Sequence, residues 1–334
     1  MNKVLQFEQI GGPEVLKFVD QETPEPAPNE IQITMKAAGL NRAELLFMGQ
    51  QYLVDPILPS GLGFEGAGKV IAVGSEISRF KVGDRVAITP AFQQNYYGAL
   101  GSIVNMPETA LEPIPDNVSY IDAAAFWMAF GTAYGLLVLK GGLTENGGQT
   151  VVVNAASSSV GTAAFQIIQE HGGTSIALTR DQKKVPGLKE AGADHVIVTS
   201  EEDIVERILD LTDGRGFDIA LDAIAGEAGE TLANACAVEA TMVVYGLLSG
   251  APSTSPFYPM VTKGLEIKGF HLSWHLLDWP DRRSTAVTHL NRGLANGSYK
   301  PLINRVFAFD DVQDAYRYMA SNDQIGKIVV EIDT

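Results

Sequence analysis

What the chain lacks sets the first limits. Among 334 residues there is one cysteine, Cys236, so neither an internal disulfide nor a cysteine-rich zinc site is available. Lysine and arginine number 24 against 40 acidic residues, a formal net charge of −16. A surface of that sign repels a phosphate backbone, which argues against nucleic-acid partners; an anionic ligand needs a local basic patch. There is no run of about 18 apolar residues of the kind that spans a bilayer. The start, MNKVLQFEQIGGPEVLKF, lacks the charged-then-apolar order of a secretion signal. The expectation is a cytoplasmic protein without a membrane partner. The five histidines, at 171, 195, 271, 275 and 289, are scattered. Only His271 and His275 have a spacing that suits a metal on a helix, and such pairs are more often plain polar decoration. No metal site is expected.

What is present reads as two domains. The chain is long for one, and with 46% hydrophobic residues and 34 glycines it is well supplied with core and turns. The first third alternates in β fashion, in KVLQFEQ, EIQITMKAAGL, GKVIAVG and KVGDRVAI, with few helices before Asn117. GKVIAVG and KVGDRVAI look like strands joined by a tight loop, with Gly83-Asp84 as the turn. Near Ser119 the texture changes. SYIDAAAFWMAFGTAYGLLVL is apolar with a helical period, capped by Ser119 or Asp122. From TVVVNAA onward, strand and helix patterns alternate through TMVVYGLL, which argues a parallel, doubly wound sheet. After Gly250 the rhythm breaks into LEIKGFHL, a helix ended by Gly297, a helix at 310–322 with an Asp cap, and the closing strand GKIVVEI.

Between TVVVNAA and the next helix stands Ser157-Ser158-Ser159-Val160-Gly161. A dinucleotide fold wants G-x-G-x-x-G there: one glycine for the turn, one for close approach of a pyrophosphate, one for helix–strand packing. Here the pattern is Ala156-x-Ser158-x-x-Gly161, and only the third glycine is present. The position supports a nicotinamide cofactor, because a helix N-terminus favours an anion and serine hydroxyls add hydrogen bonds. The plainer alternative is a polar turn with an N-cap. Thr179 stands where an NAD enzyme usually places an acid, followed by Arg180, Lys183 and Lys184. In so acidic a chain this cluster suits a 2′-phosphate, so the cofactor expected is NADPH; the alternative is a solvated loop.

These residues, with GGPEVL at 11–16, AAGLNRAEL at 37–45, LPSGLGFEGAGKV at 58–70, GSEISRFKVGDRV at 74–86, GTAY at 131–134 and GLKEAGADHVI at 187–197, resemble the medium-chain dehydrogenase/reductases. Within them the likeness is to the zinc-free quinone oxidoreductase branch, and it covers almost the whole chain. The resemblance implies an α/β fold: a GroES-like β domain at 1–120 with a C-terminal return at 266–334, and a Rossmann domain at 121–265. It also implies an active site in the cleft between domains and a homodimer. A zinc-dependent member would carry Cys near Asn41, His at Phe64, and often a four-Cys lobe near 90–110; none is present.

Without a Lewis acid a plain alcohol is a poor substrate. A quinone or an α,β-unsaturated carbonyl takes hydride at carbon and spreads charge onto oxygen, so the expected partner is a small-molecule electrophile. The alternatives are a 2-enoyl thioester reductase and a non-catalytic NADPH-binding, crystallin-like protein. On the family pattern, Asn41 and Tyr52 are the catalytic candidates, with Asn41 also near the cofactor. Tyr52 is either proton donor or pocket wall, and solvent is the other proton source. Thr132, Tyr245, Gly246, Leu247 and Lys327 join Ser157 to Gly161, Thr179, Arg180 and Lys184 on the cofactor side, Lys327 through the adenosine phosphate. Phe64, Phe92 and Trp274 are expected to wall the substrate, with Tyr96, Tyr97, His275 and Trp279 as further aromatics; ordinary packing is the alternative. Glu65 is expected to be structural, and Asp222 could serve either role.

Overall fold

The computed structural model describes residues 2–333. Strands β1 (Asn2–Phe7), β2 (Leu16–Gln21) and β3 (Glu30–Gly39) lead to helix α1 (Arg42–Met48). Then come β4 (Ser60–Gly61), β5 (Gly66–Val73), β6 (Arg85–Ile88), β7 (Ile103–Pro107) and β8 (Leu111–Pro113). Helices α2 (Tyr120–Ala124) and α3 (Trp127–Tyr134) follow, and a π-helical segment covers Gly135–Lys140. The alternating part is β9 (Thr150–Val153), α4 (Ser159–Glu170), β10 (Thr174–Thr179), α5 (Val185–Glu190), β11 (His195–Val198), α6 (Ile204–Leu211), β12 (Phe217–Asp222), α7 (Gly226–Ala233) and β13 (Cys236–Val244). After it stand α8 (Phe257–Lys263), β14 (Glu266–Gly269), α9 (Pro280–Asn296), β15 (Ile303–Ala308), α10 (Val312–Ser321) and β16 (Lys327–Glu331). None of the described helices is long and apolar enough to cross a membrane.

The chain forms two compact units, Met1–Met128 with Asn291–Thr334, and Ala129–Leu290. In the first, a seven-stranded sheet runs β15-β16-β3-β5-β6-β8, with β7 also pairing β3, and a small sheet runs β2-β1-β4. β3 shows why: Ile31, Ile33 and Met35 are buried while Gln32 and Thr34 between them are half-exposed, the period of a strand with one face on a core. Gly68 on β5 is where that sheet crowds, since a Cβ there would stand 2.3 Å from the Thr34 carbonyl oxygen. Gly83 makes a turn at φ +98, as its sequence position suggests. The link between β5 and β6 nevertheless takes up residues 74–84 and is no tight hairpin.

The second unit carries six parallel strands in the order β11-β10-β9-β12-β13-β14. Val151, Val152 and Val153 of β9 are all fully buried, as a strand covered on both faces requires. Chain order runs one way from β9 to β11 and the other way from β12 to β14, so the topological switch lies between β9 and β12. The GroES-like plus Rossmann reading of the sequence describes this architecture. Three details differ. Residues 266–290 belong to the second unit, because β14 is the edge strand on β13. The apolar segment 120–140 is two short helices and a π segment instead of one helix. Asp311 stands at the start of α10 but its side chain makes no cap hydrogen bond there.

Candidate functional site

The phosphate loop follows β9. Its turn is made by Ala155, at φ +46, a conformation that usually calls for glycine. Ser158 caps α4, its Oγ accepting the Gly161 N–H at 3.1 Å. Gly161 cannot be replaced without movement: a Cβ would lie 2.3 Å from the Ala156 carbonyl oxygen. The third fingerprint glycine therefore lets the first turn of α4 close onto the backbone of the loop at Ala156. Ser159 and Val160, half-exposed, form the first turn of α4. The Lys184 ammonium donates to Ser157 Oγ at 2.9 Å, bringing one cation of the basic cluster onto the loop. Thr179 is buried at the end of β10, and its Oγ1 accepts the Asp181 N–H at 3.3 Å. Arg180 is exposed. Free helix N–H groups beside an ammonium are a physical site for an anion.

Beneath the loop lies a buried polar set that the sequence hardly signals. Asn154, just past β9, donates to Asp222 Oδ1 at 2.5 Å and accepts the Ala223 N–H at 2.7 Å. Asp222 is fully buried at the end of β12, and its Oδ1 also accepts the Ile224 and Ala225 N–H groups, each at 2.9 Å. Among the described residues its Oδ2 has no hydrogen-bond partner, and neither has the Tyr245 hydroxyl. Burial and then the Asp222 charge push the Tyr245 phenol well up; Ser158 lies near enough to pull it partly back, yet the pair does not reach hydrogen-bond geometry. Gly246 packs against Ala223, where a Cβ would lie 2.6 Å from the carbonyl oxygen, and Leu247 is exposed. Thr132, on α3, is buried. The orphaned donor, the cradle at Gly161 and the loop ammonium all fit a nicotinamide dinucleotide.

In the first unit, Asn41 begins α1 and is the hub of a second buried network. Its N–H donates to Glu44 Oε2 at 2.9 Å, and its Nδ2 donates to the Gly39 carbonyl at 3.0 Å and Glu65 Oε1 at 3.2 Å. Its Oδ1 accepts from the Lys327 ammonium at 2.6 Å. Lys327 also forms a short ion pair with Glu65 and is only 2% exposed. Glu65 Oε2 accepts the Met128 N–H at 2.9 Å. Glu44 accepts the Phe64 N–H at 2.8 Å and the Tyr316 hydroxyl at 2.7 Å. Burial pushes the Glu44 carboxyl up, against the pull of those donors. The expectation that Lys327 reaches an adenosine phosphate is corrected here: its charge is committed inside the domain. Glu65 is structural, as its position beside the glycine turn suggests.

Phe64 also stands elsewhere than expected. It is 2% exposed, in the core cluster, 6.0 Å from the Phe47 ring and 5.8 Å from the Tyr52 ring. It supports Tyr52 from behind and offers substrate no free face. Tyr52 is half-buried; burial, then the charge of Glu44, pushes its phenol up to about 12. Phe92 meets Tyr97 edge-on at 6.2 Å, and both line an open groove with Glu30, Gln93, Tyr96 and Pro107. Trp274, 46% exposed, stacks on His271 at 4.3 Å in the second unit. Burial, and then His275, lower His271 to about 4. The His275 Nδ1 accepts the His271 N–H at 2.9 Å, so that nitrogen is used locally.

Asn41 and Phe64 offer a metal an amide already spent and a phenyl ring, and among the described residues no three His, Cys, Asp or Glu side chains cluster as a metal would need. The donor set does not fit zinc. Sequence reasoning missed Glu44, Tyr316 and Asn154. Only Glu44 carried a local signal, the Asn41-x-x-Glu44 spacing of a capping box, which would also have revealed α1.

Two family models match the chain: the alcohol dehydrogenase GroES-like domain over residues 27–116, and the zinc-binding dehydrogenase model over 159–285. A quinone oxidoreductase of Pseudomonas aeruginosa is 32% identical, over 99% of both chains. A crystal structure of a Pseudomonas syringae quinone oxidoreductase superposes with a TM-score of 0.90 at 31% identity, covering 99% of this chain and 100% of that one. An Escherichia coli quinone oxidoreductase solved with NADPH gives 0.89 at 28% identity, covering 98% and 99%. With its GroES-like unit, its parallel dinucleotide-type sheet and these relatives, the chain belongs to the medium-chain dehydrogenase/reductases as a quinone oxidoreductase-like oxidoreductase.

Proposed function

We propose that this oxidoreductase is an NADPH-dependent reductase that passes hydride to quinones or other activated double bonds, α,β-unsaturated carbonyls among them, without a metal. The observation that carries the reading is the fate of positions 41 and 64. Asn41 is bound on both amide atoms by Gly39, Glu65 and Lys327, and Phe64 is packed into the core. Nothing there can polarise an alcohol oxygen, so an acceptor that stabilises its own charge is the better substrate.

The bound nicotinamide would supply the hydride. The N-terminal turn of α4, with Ser157 to Gly161, would hold the pyrophosphate. Lys184, whose ammonium reaches that loop, and Arg180, just past β10, favour a 2′-phosphate over a bare ribose. Tyr52, protonated at neutral pH, would give a proton to the anion left by hydride addition, at the α-carbon of an enolate or the oxygen of a quinone. Asn41 is held rigid by its network, so any contact it makes with cofactor or substrate is preorganised.

A homodimer belongs to the same proposal. The edge of β14 is unpaired in the sheet order, and Phe257, Tyr258 and Val261 of the preceding α8 are each at least 66% exposed. An open edge beside such a patch suits a second copy of the chain.

The test is NADPH oxidation followed by absorbance against quinones, enals, 2-enoyl thioesters and, in reverse with NADP⁺, simple alcohols. The proposal expects turnover with quinones or enals and none with alcohols. Turnover confined to enoyl thioesters would move the assignment to that class. No turnover with any acceptor, despite NADPH binding, would leave a non-catalytic binder.

A further inference from the structure

The Tyr245 hydroxyl has no role in holding this structure together. Its ring is half-buried, but the hydroxyl itself is shielded from solvent and has no hydrogen-bond partner among the described residues. Leaving such a group unpaired is costly, on the order of 1–3 kcal/mol in general. Phenylalanine would fill the same volume without that cost. Its neighbours do not bond to it. Asp222 Oδ1 is taken by Asn154 and two backbone N–H groups. Asp222 Oδ2, beside Gly229, is itself without a partner among the described residues. Ser158 Oγ, which accepts the Gly161 N–H as the cap of α4, lies near the phenol but outside hydrogen-bond geometry.

The placement is directional. Tyr245 follows β13, with its N–H bonded to the Asp222 carbonyl at 2.9 Å. In the sheet order β13 lies beyond β12 from the phosphate loop, while Thr179, Arg180 and Lys184 follow β10 on the other side. A dinucleotide crossing the carboxyl ends of these strands therefore places its adenosine half on the β10 side and its other half toward β13. An unpaired phenol beside the helix cap, on that second side, is a donor waiting for an acceptor.

We infer that Tyr245 is a positioning residue whose hydroxyl donates to the pyrophosphate or the second ribose of the dinucleotide, on the side away from the adenosine. The inference rests on the dinucleotide reading above. It predicts opposite signs for two quantities in one variant. Tyr245→Phe removes an unsatisfied polar group from the free protein and a hydrogen bond from the complex. The melting temperature of the cofactor-free protein rises by roughly 1–3 °C. The dissociation constant for NADPH, measured by fluorescence titration, increases about five- to tenfold. The dissociation constant for adenosine 2′,5′-bisphosphate, which carries the adenosine side alone, does not change.

A merely structural tyrosine would give a lower melting temperature in Tyr245→Phe, and that result overturns the inference. So does a variant that binds NADPH as tightly as the wild type, or one that loses both ligands equally. Wild-type protein that binds neither NADPH nor NADH overturns the dinucleotide reading and this inference with it, so the two failures are told apart by the wild-type titration.

Discussion

Lys327 and Glu65 are an ion pair almost sealed from solvent, 262 residues apart in sequence. Removing one partner leaves the other charge buried, which in general costs about 3–5 kcal/mol. Lys327→Met should destabilise the protein by that order in denaturant unfolding, and adding Glu65→Gln should recover a substantial part. Tyr52 gives a second residue-scale expectation. Its phenol is pushed up to about 12, so it remains a proton donor across the whole ordinary range. A rate that depends on it loses nothing from Tyr52 ionisation until the pH climbs toward that value. Tyr52→Phe should lower kcat about 100-fold on enones, whose carbon must gain a proton. An unchanged kcat with a raised KM would make Tyr52 a wall. Legibility at this scale followed sequence distance. Gly161 was readable because the strand–loop–helix around it is local. Lys327 was not, because its partners Asn41 and Glu65 are brought to it by the pairing of β16 with β3.

The element that matters most is the loop between β9 and α4 with the basic segment after β10. Two of the three fingerprint glycines are absent, and the loop still forms: Ala155 takes the left-handed turn and Ser158 caps the helix. The proposed preference for an additional phosphate rests on the Lys184 ammonium bonded to Ser157. Lys184→Ala should raise the dissociation constant for NADPH about tenfold and leave that for NADH nearly unchanged; equal losses by titration would remove the basis for NADPH preference. The alternation of strands and helices was legible because each βα unit carries its own period and its own stops. Helix α1 was not, since only its capping box announced it within a β-rich stretch. The π segment at 135–140 also escaped, because a helical period does not register one extra residue per turn.

For the whole molecule, the sequence pattern conveyed two domains and their classes but placed the chain's return too early. The edge strand β14 reads like the start of something new after the broken rhythm at Gly250, and only its pairing with β13 assigns it to the second unit. The same edge makes the assembly testable. Light scattering should give twice the 35.8 kDa chain mass, and Val261→Glu should shift it toward one chain. Function at this scale turns on whether the fold works without a metal. The residues at 41 and 64 are built into hydrogen-bond and aromatic cores, with no donor to spare. The most direct measurement is the rate of NADPH oxidation by a quinone before and after exhaustive dialysis against a chelator, with metal content assayed in parallel. The rate should be unchanged in metal-free protein. A rate that vanishes with the metal and returns on adding zinc would overturn the metal-free reading.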